Sequence, residues 1–141
     1  MDKYILKTRT GSKVQTNAIV NYNANTTGNF DIQCVIAGGE DGKVAIFDPN
    51  TFECLEYLPD AVDRNSWLIE IDDIHIINAN NILIVSSAGV IAKYHRESNT
   101  WQYKIILESS ECYYSILDYN AKRNSIKVMT EFSGEVEIVL A

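Results

Sequence analysis

The sequence predicts an all-β protein built from about three four-stranded antiparallel units. Short runs rich in isoleucine, valine and tyrosine alternate with clusters of asparagine, glycine, serine and aspartate, which is typical of strands joined by tight turns. A similar unit then recurs three times, with a period of roughly 40–50 residues. The chain has 141 residues, of which 46% are hydrophobic, enough for one domain with a buried core.

The elements follow each other in a regular order. A single strand is predicted over residues 3–10, and it precedes three units over residues 17–60, 68–108 and 112–141. The first two units read as four strands each, whereas the third ends at its third strand. We therefore expect strand 3–10 to supply the missing fourth strand, with residues 1–141 forming a single domain.

Each unit carries a glycine turn before its third strand. The segments "DGKVAIFD", "AGVIAKYH" and "SGEVEIVL" place Gly42, Gly89 and Gly134 at intervals of 47 and 45 residues. A tight hairpin turn often needs a positive φ, which glycine reaches without strain. We therefore expect Gly42 and Gly134 to have φ > 0. The second unit also contains "NILIVSS", whose nearly continuous apolar residues predict a strand buried on both faces.

The first unit shows a family pattern. Its segment "CVIAGGEDGKVAIFDPNTFECL" resembles a WD40 repeat, with "GGEDG" similar to the turn between the second and third strands. Phe47 and Asp48 stand where that family has its Trp-Asp ending. Asp41 matches the turn aspartate that anchors hydrogen bonds between blades. The resemblance is close only over residues 34–58, and it implies β-propeller blades that act as a rigid scaffold for other proteins.

The number of units raises the question of closure, since propellers usually have 4–8 blades. Two copies could exchange their N-terminal strands and form a six-bladed homodimer, which is the arrangement that the repeat phase favours. Another propeller subunit could instead complete the ring. The chain could also be a piece of a longer propeller, or a sheet protein with fewer, distorted blades.

Charge is unevenly distributed along the chain. The net charge is -7, and residues 40–73 contain ten acidic residues but only two basic ones. This balance disfavours direct binding to nucleic acid and favours a protein partner with a basic surface. The candidate contact residues are Glu53, Glu56, Asp63 and Trp67. The alternative is that these acidic residues simply lie on solvated strand faces and turns.

No recognisable catalytic motif is present, so we expect a non-catalytic interaction scaffold within a larger assembly, with no cofactor and no metal. The alternative is a propeller-type hydrolase with its site at the central channel. By default His75, Trp67 and Trp101 are expected in or beside the core, with a surface anchor as the alternative for Trp67, and His95 is expected at the surface. No apolar run is long enough for a membrane span. Three cysteines without a C-x-x-C pair favour the cytoplasm or nucleus.

Overall fold

A computed structural model describes residues 3–8, 10–25 and 31–140. Over these residues the protein is all-β, as the sequence predicts, and its strands form four antiparallel sheets. The first sheet is a short hairpin of β1 (Leu6–Lys7) and β2 (Lys13–Val14). Gly11 has φ 90 in the connection, and its N–H donates to the carbonyl of Thr8.

Two four-stranded sheets follow, and in each of them strands that are consecutive in the chain pair side by side. Sheet 1 contains β3 (Thr16–Asn25), β4 (Asp31–Gly39), β5 (Val44–Phe47) and β6 (Cys54–Tyr57). Sheet 2 contains β7 (Asp73–Asn78), β8 (Asn81–Ser86), β9 (Val90–Glu97) and β10 (Thr100–Glu108).

The last sheet has one strand fewer. Sheet 3 contains β11 (Tyr113–Asn120), β12 (Ser125–Thr130) and β13 (Gly134–Val139), in that order. Within the described part of the chain no strand pairs with the outer side of β13, so this strand forms an edge.

Sheet 2 is the central layer of the molecule. One apolar cluster joins it to sheet 1 through residues such as Ile36 and Ile84, and a second joins it to sheet 3 through residues such as Leu83 and Ile126. Each of the four residues from Ile82 to Val85 has 0% of its surface exposed. The prediction of a strand buried on both faces is therefore confirmed, and β7 also packs beside both β3 and β11.

The N-terminal strand does not lie where the sequence analysis predicted. Leu6–Lys7 pairs with Lys13–Val14 and packs on sheet 1, so this strand is not the fourth strand of the last unit. Leu6 is fully buried against the face of sheet 1 that points away from sheet 2, and Tyr4 meets Phe47 edge-on at 5.4 Å. The N-terminal segment lies on sheet 1 because the hairpin buries these apolar side chains there.

Polar side chains connect the layers at their edges. The Asn17 amide donates to Glu70 Oε1 at 2.8 Å and to the carbonyl of Ile71 at 3.2 Å, which joins β3 to the segment before β7. Asp73 Oδ2 accepts the N–H of Ile116 at 2.7 Å, which joins sheet 2 to sheet 3. These bonds satisfy groups that would otherwise lose hydrogen bonds on burial.

Asp72 makes the stability of the fold depend on pH. Its Oδ2 accepts the N–H of Ser87 at 2.6 Å. Burial raises the pKa of Asp72, and the hydrogen bonds from Ser87 offset part of that rise. Since the folded state then holds the proton more tightly than the unfolded state, stability is lost as the pH rises from the ordinary aspartate pKa through the raised one.

We therefore expect Asp72→Asn to be more stable than the wild type at neutral pH, because the amide oxygen still accepts from Ser87 but carries no charge. The difference should shrink as the pH falls below the ordinary aspartate pKa. Thermal melting across a pH series measures it, with Asp41→Asn at an exposed turn as the control. The same pH dependence in both variants would contradict the assignment.

Candidate functional site

A groove runs along the seam between the N-terminal hairpin and strand β6. Three adjoining recesses of about 520, 360 and 460 Å³ share lining residues and form one continuous surface, which we call the hairpin groove. Its lining includes Ile5, Lys7 and Thr8 from the hairpin side, Phe52, Cys54 and Tyr57 from the β6 side, Lys43 and Asp60 between them, and Leu68 at one end.

An ion pair lies between the two sides of the groove. The Lys43 side chain is nearly buried, and its Nζ is 2.8 Å from Asp60 Oδ1. The N–H of Lys7 donates to the Tyr57 hydroxyl oxygen at 2.9 Å, which ties the hairpin to β6. A buried ammonium group needs such a partner, so Asp60 fixes the Lys43 side chain in place.

Two large apolar side chains are exposed in the turn that follows β6, and one of them, Leu68, also lines the groove. Trp67 is 72% exposed and Leu68 is 50% exposed, and both lie in a turn after β6. Asp63 Oδ1 holds this turn by accepting the N–H groups of Asn65 and Trp67, at 2.8 and 3.0 Å. A bridge between Val62 and Leu68 closes the turn. Trp67 is therefore presented by an ordered turn, and the core position that was its default expectation is wrong.

The glycine turns agree with the sequence. Gly42, Gly89 and Gly134 have φ values of 68, 86 and 66, so the predicted positive φ at Gly42 and Gly134 is confirmed. Asp48 has a structural role, because its Oδ1 accepts the N–H groups of Asn50 and Thr51 at 2.7 and 3.1 Å. Phe47 is buried between sheet 1 and the hairpin.

Asp41 does not have the surroundings that the WD40 resemblance implies. It is exposed with φ 57, and its carboxylate makes no hydrogen bond to the described residues. Asp73 forms the carboxylate hydrogen bond between neighbouring sheets instead. The sequence signal for Asp73 is its position at the start of an apolar strand, but the sequence does not show that Ile116 lies opposite.

The acidic residues that the sequence suggested as partner contacts have different surroundings in the structure. The carboxylate of Asp63 is engaged in its own turn, while Glu56 pairs across the sheet with Ile46, whose side chain points toward sheet 2. Glu53 is exposed before β6, where its carbonyl accepts the N–H of Asp48. The structure thus gathers apolar side chains at the hairpin groove, which the charge count alone did not indicate.

The remaining titratable residues are spread over the sheets. His75 is half-buried beside Tyr119, and His95 Nδ1 lies 2.9 Å from Asn81 Oδ1. Trp101 is buried between sheets 1 and 2, as expected. Among the residues that the structure describes, no three His, Cys, Asp or Glu side chains are placed to hold a metal ion. The same residues include no helix long and apolar enough to cross a membrane.

Comparison with known proteins assigns no family: no protein-family model matches the sequence, and neither does any curated protein. The resemblance to WD40 repeats therefore depends on the residues of the first unit alone. Function must be inferred from the surfaces that the fold presents.

Proposed function

We propose that this protein is a non-catalytic scaffold for protein–protein interaction, built from WD40-like propeller blades and acting as a subunit of a larger assembly. The observation that carries the proposal is the hairpin groove, which Leu68 lines at one end, together with the exposed Trp67 next to Leu68 in the same turn. Exposed aromatic side chains next to a groove are typical of surfaces that bind other proteins.

The blade assignment is supported by the repeat and by its packing. Sheets 1 and 2 are four-stranded meanders that pack face to face, and their first strands, β3 and β7, are neighbours. The glycine turns recur at matching places in the three sheets. This is the arrangement expected of consecutive blades around an axis.

The outer faces of the stack favour an open arrangement over closure with a second copy. The hairpin already covers the part of the outer face of sheet 1 that is formed by Ala37, Ala45 and Phe47. On sheet 3, Ile126 and Val128 face sheet 2, so the alternate residues face outward. There Asp118, Lys127 and Glu137 lie opposite one another across the three strands. Burying such a charged row against another sheet would be costly, and we do not retain the strand-exchanged homodimer.

The charge of the chain and its cysteines suggest the partner and the compartment. With a net charge of -7, the protein favours a partner with a basic surface, whose approach would slow as salt increases. All three cysteines are free, and the thiol of Cys54 is exposed. We therefore place the protein in a reducing compartment, the cytoplasm or the nucleus.

We expect the double variant Trp67→Ser, Leu68→Ser to lose the physiological partner while keeping its fold. Two exposed anchors of this kind contribute on the order of 2 kcal/mol or more to binding. Tagged wild type and variant would be used to capture partners from the cells of origin, and the captured proteins compared quantitatively.

Phe132→Ser is the matched control, because Phe132 is also 72% exposed but lies in the turn before β13, in sheet 3. The expected result is a partner retained by the control and lost by the double variant. Loss from both variants, or from neither, would contradict binding at the hairpin groove.

A further inference from the structure

The outer edge of β13 has the position that a fourth strand occupies in the other sheets. In sheet 1 the third strand, β5, pairs with β6, and in sheet 2 the third strand, β9, pairs with β10. In sheet 3 the third strand, β13, pairs with β12 alone over the described residues. A sheet edge of this kind presents backbone donors and acceptors to any extended chain that approaches it.

The register identifies which backbone groups point outward. The N–H of Leu140 donates to the carbonyl of Asn124 at 2.8 Å, in the same register that pairs Ser125 with Val139. Hydrogen-bonded positions alternate along an antiparallel pair, so residues 134, 136 and 138 bond toward β12. The N–H and C=O groups of Glu135, Glu137 and Val139 therefore point to the open edge.

Side chains along β13 define what an added strand should carry. Val136 and Ile138 are half-buried and pack against the cluster between sheets 2 and 3. Glu135 and Glu137 alternate with them on the outward face, where Glu137 also forms an ion pair with Arg123 at 2.8 Å. An incoming strand would thus place apolar residues opposite Val136 and Ile138, and basic residues beside the two glutamates.

We propose that the β13 edge binds an extended segment of another protein, in which apolar residues alternate with lysine or arginine. The segment would add a fourth strand to sheet 3, with main-chain hydrogen bonds to residues 135, 137 and 139. Alternation of apolar and acidic residues on β13 selects this partner chemistry. A second copy of this chain fits poorly, because its basic N-terminal segment is held on sheet 1 by the buried Leu6. This surface is separate from the hairpin groove, so the two proposals can fail independently.

The test uses the full chain and a fluorescein-labelled nine-residue peptide of alternating lysine and valine, equal in length to β10. Fluorescence anisotropy measures its binding to Glu137→Pro and to Glu137→Ala. Both variants lose the contacts of the Glu137 side chain with Arg123 and Ser125, but only proline removes the outward N–H. The pairing of β13 with β12 does not use that N–H.

We expect the peptide to bind Glu137→Ala and to bind Glu137→Pro about tenfold more weakly, or worse, since at least one main-chain hydrogen bond is lost. Equal binding to the two variants would mean attraction by surface charge only and would overturn the proposal. No binding to the wild type would also overturn it, as would a wild-type dimer, seen by light scattering, that Glu137→Pro converts to a monomer. If circular dichroism shows that Glu137→Pro is unfolded, peptide binding is compared between Val139→Pro and Val139→Ala instead, with the same expected outcomes.

Discussion

Replacing Ile84 with alanine is expected to lower the free energy of unfolding by about 2–5 kcal/mol, as for other large-to-small changes in a packed core. Ile84 has 0% exposure and lies in the cluster that joins sheets 1 and 2. Its neighbour Leu83 is equally buried but belongs to the cluster that joins sheets 2 and 3. Leu83→Ala should therefore destabilise the protein by a similar amount.

Denaturant unfolding measures both losses. Val139→Ala is the control, since Val139 is an exposed apolar residue on the edge strand and its truncation should cost little. If one of the two β8 variants were as mild as the control, β8 would have only one buried face, and sheet 2 would not be the central layer.

This double burial is the part of the fold that the sequence predicts best. A strand that packs on one face only needs alternation, whereas "NILIVSS" offers apolar side chains to both faces. The repeat added the order of the strands, because each glycine turn lies between the second and third strands of a sheet. Local patterns thus gave strand type, strand order and the central position of β8.

The position of the N-terminal strand could not be predicted from local patterns in the same way. The order of strands in the repeats indicated only that one N-terminal strand precedes the three units. The third unit lacked a fourth strand, so the N-terminal strand was assigned to it. In the structure the turn at Gly11 folds the segment back on itself, and Leu6 is buried near Phe47 on sheet 1. Periodicity does not report which of two apolar surfaces a short hairpin covers.

The candidate site could not be predicted from local sequence patterns either. Charge counting selected residues 40–73, but the carboxylates of Asp60 and Asp63 serve an ion pair and a turn within the fold. Trp67 was singled out from the sequence, whereas the groove depends on the hairpin lying beside β6. Contacts between distant segments therefore created the surface.

Gly89→Ala is expected to lower the free energy of unfolding by about 2–5 kcal/mol, and Gly42→Ala by a similar amount. Alanine in the left-handed region costs about 1–2 kcal/mol, and overpacking adds about 1–3 kcal/mol. A Cβ at Gly89 would lie 2.0 Å from the carbonyl oxygen of Ser109, and one at Gly42 would lie 2.4 Å from that of Ala61. Both neighbours are backbone atoms and cannot rotate away.

The two collisions have one structural origin. After the fourth strand of sheets 1 and 2, the chain returns past the glycine turn, where Ala61 and Ser109 donate their N–H groups to the carbonyls of Gly42 and Gly89, each at 2.9 Å. Within the described part of the chain, sheet 3 has three strands and no atom lies within 4 Å of a Cβ at Gly134. Gly134→Ala should therefore cost only the conformational term of about 1–2 kcal/mol.

Thermal and denaturant melts of the three glycine variants test this ranking. The expected order is a small loss for Gly134→Ala and a clearly larger loss for the other two. A loss at Gly134 as large as that at Gly89 would mean that a further segment packs on the last glycine turn, as it does on the first two, and that sheet 3 is not open at β13.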